Sequence, residues 1–139
     1  MIRLLILALA LAALPAQESE VRFTAYDVVL DTGGKPLAAY QFEVSCDPAH
    51  GKIVGVEGGA KPHYSEAPYY DPAALQGGRI VLAAFTTEPD APAGKVLVAR
   101  LHMQETGPVL LAPKVVVAAP PGGGRIEAKI EISRAGDRK

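Results

Sequence analysis

The chain has 139 residues, of which 49% are hydrophobic, with a single cysteine, no tryptophan and a formal charge of −1. So even a charge balance excludes the basic footprint of a nucleic-acid binder and the polybasic patch that holds a protein on anionic lipid. One cysteine excludes an internal disulfide, so a domain of this length must fold on its hydrophobic core alone, burying about two thirds of its unfolded surface.

The chain opens MIRLLILALALAALPAQESE, with one positive charge at Arg3, an apolar run from Leu4 to Leu14, and an abrupt polar turn at Gln17. Charged, apolar and small-residue regions in that order are a secretory signal peptide, expected over residues 1–16 with cleavage after Ala16. Ala10-Leu11-Ala12 offers an earlier small-x-small site. The apolar run is shorter than the roughly 20 residues needed to cross a bilayer. Export, secreted or periplasmic, with no membrane attachment afterwards, is therefore expected. Loss of Arg3 leaves 13 basic and 15 acidic residues, a formal charge of −2.

From Val21 onward the chain reads as strands separated by Gly, Pro and Asp. Residues 22–30 are apolar on both parities, which predicts a bulge or a strand that changes sheets. In LAAYQFEVSC, Tyr40, Phe42, Val44 and Cys46 alternate with polar or small residues, so this strand buries one face and the lone thiol with it. Ile53–Glu57 is a weaker strand candidate. RIVLAAF is apolar throughout, which predicts a central strand covered on both faces from Ile80 to Phe85. In KVLVARLHMQ, Leu97, Ala99, Leu101 and Met103 oppose Val98, Arg100, His102 and Gln104, so the second set should face water. Val115–Ala119 is a short strand. RIEAKIEI alternates cleanly through Ile126, Ala128, Ile130 and Ile132, and SRAGDRK, from Ser133, is a polar tail. Connections such as DTGGKP, DPAHG, EPDAPAG and PPGGG carry turn chemistry. Short strands at such spacing, with no long helical periodicity, predict an all-β antiparallel sandwich spanning residues 17–133, followed by a tail over 134–139.

One connection is long. Residues 58–78 hold Tyr64, Tyr69 and Tyr70, three of the five tyrosines, and connections of that length are uncommon without a function. Asp71 before Pro72 is an N-cap with proline at the first helical position, so DPAALQGG reads as one helical turn ended by Gly77 and Gly78. The tyrosines admit two readings. They are a stacking surface for a sugar or peptide, with Glu66 beside them, or they fold back over the open end of the sandwich. Tyr69 and Tyr70, being adjacent, should point opposite ways.

Catalytic signals are poor. No serine sits in a nucleophile elbow, and Glu57, Glu66 and Asp71, flanking the tyrosine loop, are the one acidic group that could serve a hydrolase. His50, His63 and His102 have no ligand spacing. Calcium could be held by carboxylates such as Asp27, Asp31 or Asp71, but no EF-type loop is present, and no cofactor is expected.

Four stretches, PLAAYQFEVSCDP, KIVGVEGG, GGRIVLAAFTT and PAGKVLVARLHMQETG, together resemble the cohesin-like modules of bacterial extracellular scaffolds, over roughly Leu37 to Gly107. Cys46 stands where that family commonly has tyrosine. The resemblance implies a non-catalytic jelly-roll sandwich akin in fold to carbohydrate-binding modules. The expectation is thus an exported binding module. Its ligand is a polysaccharide at Tyr64, Glu66, Tyr69 and Tyr70, or an extracellular protein on the face of Arg100, His102 and Gln104.

Overall fold

The computed structural model describes residues 20–136, so the expected signal peptide lies outside the described residues. Seven strands form: β1 (Arg22–Asp31), β2 (Ala39–Ser45), β3 (Gly51–Gly58), β4 (Arg79–Phe85), β5 (Lys95–Glu105), β6 (Ala112–Ala119) and β7 (Lys129–Arg134), with one 3-10 turn at Pro72–Ala74. They pair as a four-stranded sheet, β3-β5-β1-β7, and a three-stranded sheet, β4-β2-β6, antiparallel throughout. Odd strands make one sheet and even strands the other, so every connection crosses between sheets. No strand pairs with its chain neighbour, and long-range pairing of this kind folds slowly.

The core lies between the sheets, where Val28, Leu30, Phe42, Val44, Leu82, Leu101 and Met103 are wholly buried. In β2 the alternation holds, with Tyr40, Phe42 and Val44 inside. Cys46 falls one residue beyond the strand, half-buried against this core, its Sγ 3.6 Å from the Gly51 carbonyl oxygen.

Four expectations need correction. β4 is an edge strand, not a central one: Ile80 and Leu82 are buried, whereas Val81 and Ala83 are half-buried on the outer face. Its apolar outer residues reflect a strap, since Tyr69 pairs with Ala83 along the free edge through reciprocal backbone bonds of 2.8 and 3.0 Å. In β5 the alternation breaks. Val28 faces Ala99 and Val29 faces Leu97, so Val98 is an extra, bulged residue. Val96 and Val98 point inward before the bulge and Ala99, Leu101 and Met103 after it, leaving Leu97 half-exposed. The extra residue belongs to β5 and not to β1, which keeps its alternation, with Tyr26, Val28 and Leu30 in the core. Finally, residues 125–128 are not strand. This segment crosses between the sheets, the Ile126 N–H bonding the Ala118 carbonyl (2.8 Å) at the free edge of β6, before the chain joins β1 as β7. Arg125 donates to the Val116 carbonyl on that same edge (3.3 Å). β7 includes Arg134, and the Ala135 N–H bonds Ala25, so the tail begins later than its polarity implied.

Between the sheets sits one buried carboxylate, Glu105, only 1% exposed. It accepts hydrogen bonds from the Tyr26 hydroxyl and, at 3.2 Å, from Thr24. An ionised group taken out of water keeps its place only when its lone pairs are satisfied. Tyr26→Phe deletes one donor and should cost about 1.5–3 kcal/mol. Tyr40→Phe removes a longer, neutral bond to the Val98 carbonyl (3.3 Å) and should cost about 1 kcal/mol. Urea unfolding of the two variants checks the order; equal midpoints would mean Glu105 does not depend on Tyr26.

Candidate functional site

The long connection begins where β3 ends. Gly59 lies so close to β5 that a Cβ there would stand 2.0 Å from the Leu97 carbonyl oxygen, so only glycine fits. The Ala60 N–H bonds that same carbonyl (2.8 Å), and the Tyr64 N–H returns to Ala60 (3.1 Å), closing a tight turn. Tyr64 is thereby driven into the open end of the sandwich. It is 3% exposed, its hydroxyl donates to the Leu37 carbonyl (2.7 Å), and its ring meets Tyr40 edge-on at 5.4 Å. Tyr40 in turn stacks on Phe42 at 5.5 Å. Tyr64 is a plug and not a platform.

Tyr69 and Tyr70 do diverge: Tyr69 is 73% exposed, while Tyr70 is half-buried against the core. Pairing with Ala83 sets Tyr69 on the outer face of the three-stranded sheet, the face that Phe85 occupies two residues further on. Phe85 is itself 63% exposed. The expectation that RIVLAAF is covered on both sides hid it; its parity with Val81 and Ala83 was the available signal.

Between Tyr69 and Phe85 opens a cavity of about 230 Å³, lined also by His63, Tyr64, Glu66, Ala67 and Ala84. The His63 Nδ1 lies 3.3 Å from the Thr86 hydroxyl, which steadies the imidazole at the rim. Among the described residues the Glu66 carboxylate has no hydrogen-bond or ion-pair partner, so it is available to a ligand. The remainder of the connection is structural. Asp71 caps the 3-10 turn by accepting from the Ala73 N–H (2.9 Å). The left-handed residue after that turn is Gln76 (φ 69°), not Gly77 or Gly78. Gly78 is required for closeness: a Cβ there would stand 2.6 Å from the Cys46 carbonyl oxygen.

The other expected groups disperse. Arg100, His102 and Gln104 line up along the outer face of the four-stranded sheet, but Arg100 is paired with the buried Asp27 (2.8 Å) and His102 with Glu57 (3.0 Å). The acidic set is therefore divided: Glu57 holds His102, Asp71 caps its turn, and Glu66 alone lines the cavity. Of the calcium candidates, Asp27 holds Arg100, Asp31 accepts from the Gly33 N–H (3.1 Å) and Asp71 caps. Among the described residues no three His, Cys, Asp or Glu side chains come together as a metal site. Burial, followed by the nearby Asp47, raises the Cys46 pKa, which disfavours the reactive thiolate.

No protein-family model matches the chain, nor does any curated protein or any solved structure.

Burial pushes the Tyr64 phenol from the ordinary 10.0 up to about 12. It raises Tyr40 as well, and raises Tyr26 together with the bond to Glu105. A raised folded-state pKa contributes stability that is complete below the unfolded value and disappears as pH climbs through the folded one. Stability should therefore fall between pH 10 and about 12. Phenolate absorbance of Tyr26, Tyr40 and Tyr64 should rise together with loss of near-ultraviolet circular dichroism. Ionisation of all the tyrosines near pH 10 in a protein that stays folded would contradict the burial assigned to them.

Proposed function

We propose that the chain is an exported, non-catalytic binding module, a single jelly-roll sandwich of the cohesin-like kind, that holds a polysaccharide between Tyr69 and Phe85. The jelly-roll assignment is supported by the strict alternation of successive strands between the two sheets. The observation that carries the binding reading is the pair of exposed rings on one sheet face, flanking a cavity whose rim offers the Glu66 carboxylate and the His63 imidazole. Planar rings take the apolar face of a sugar, and a few polar groups beside them orient its hydroxyls. A lone carboxylate in the cavity suits binding, since glycoside hydrolysis requires two facing one another.

Retention of the mature protein on insoluble neutral glycans tests this. Tyr69→Ala and Phe85→Ala should each weaken retention about five- to tenfold, and the double replacement should abolish it. Tyr64→Phe should lower stability and leave retention unchanged. Equal retention of the double variant and the unaltered protein would end the polysaccharide reading.

A second reading, an extracellular protein partner, is favoured by the rest of that face. Ala39, Ala83, Val117 and Ala119 form a flat, half-buried, small-residue surface around Gln41. It is a better candidate than the face of Arg100, His102 and Gln104, where two of the three are already engaged. A specific polypeptide bound by the mature protein and lost in Val117→Arg, where insoluble glycans retain none of the protein, would establish this reading in place of the first.

A further inference from the structure

A second cavity, of about 290 Å³, lies at the opposite end of the domain, lined by Pro48, Ala49, Gly51, Lys52, Gln104 and Thr106. Strand register explains its composition. Phe23 of β1 faces Gln104 of β5, which faces Lys52 of β3, so ring, amide and ammonium form one row across the outer face of the four-stranded sheet. Phe23 is 74% exposed, an unusual position for a phenylalanine, and among the described residues no element covers it. The next row is Ala25, His102 and Gly55, whose small flanks leave the side of the Phe23 ring open.

The charges around this row are unbalanced. Among the described residues neither Lys52 nor Gln104 makes a side-chain hydrogen bond or ion pair. The carboxylates of Glu105 and Asp47 are already engaged. Glu105 is turned inward to Tyr26 and Thr24, and Asp47 accepts from the Ala49 N–H (2.9 Å) and faces His50 at 3.9 Å. Thr106 is likewise occupied, donating to the Ala49 carbonyl (3.3 Å) and holding the Asp47–His50 turn as a fixed wall. What remains free is one exposed ring, one amide and one cation. That set fits a sugar bearing a carboxylate.

We propose that this cavity binds a uronic-acid residue of an acidic polysaccharide. Lys52 takes the carboxylate, the Gln104 amide bonds ring hydroxyls, and Phe23 stacks on the apolar face of the pyranose. The proposal rests on the polysaccharide reading only in that its ligand is a glycan; its residues are different. Calorimetric titration of the mature protein with tetragalacturonate and with neutral cellotetraose tests it. The acidic tetramer should bind in preference, more weakly as salt is raised. Lys52→Gln and Phe23→Ala should each weaken that binding about tenfold or more, while Lys52→Arg and Tyr69→Ala leave it in place. Both altered residues are exposed, so unchanged far-ultraviolet circular dichroism keeps the comparison valid. The proposal is overturned if the two tetramers bind alike, if neither binds, or if Lys52→Gln binds the acidic one undiminished. Loss in the Tyr69→Ala, Phe85→Ala double variant but not in Lys52→Gln would also overturn it, and would leave the first cleft standing. Conversely, dependence on Lys52 with glycan retention indifferent to Tyr69 and Phe85 would remove the first cleft and keep this one.

Discussion

The extra residue in β5, Val98, and the Tyr40 hydroxyl that meets its carbonyl from the opposite sheet hold together much of what is distinctive in this domain. A bulge leaves backbone groups without ladder partners, and a buried carbonyl without a donor is costly. Here the donor comes across the core, so the bulge ties the two sheets at one point. Next to it the Leu97 carbonyl receives Ala60, and the tight turn that follows drives Tyr64 against Tyr40. From that anchor the chain has a fixed path to Tyr69 and the free edge of β4. The candidate cleft thus depends on a defect in strand pairing some distance from it.

Two-residue periodicity made the sandwich legible, because a strand with one wet face cannot disguise which side is buried. β2 obeys it from Tyr40 to Val44. It misled where tertiary structure alters the count. The Val98 bulge exchanged the roles of Leu97 and Val98, and the strap at Tyr69 made an edge strand look like a central one. Residues 125–128 alternate as a strand would, yet they cross between sheets, which no local pattern reports. The turn chemistry of Asp71-Pro72 was readable for the opposite reason: a cap is satisfied by residues two apart in the chain.

Of the candidate cleft, sequence pointed to the connection that lines it but not to how its rings are disposed. Tyr64 and Tyr70 turn inward, and Phe85, hidden in an apolar strand, joins Tyr69 outside. Whether a ring packs or projects is decided by the neighbour that arrives from elsewhere in the chain. Phe23 and Lys52 escaped notice for the same reason, since only the register of three strands makes them companions. Both proposed contacts therefore lie on outer faces of the sheets, one on each, while the core is kept for hydrocarbon and the satisfied carboxylate of Glu105.

The glycine-rich turn after β6 has a protective consequence. β6 carries three successive valines and forms an outer strand of its sheet. Bare strand edges of that composition recruit other chains and seed fibrils. Pro113 and Lys114 blunt the first half of the strand, and the returning Arg125 and Ile126 occupy carbonyls on the second. A protease cut between Pro120 and Gly124 would loosen that guard and with it the buried Ile126, leaving the valine strand open to pairing with another chain.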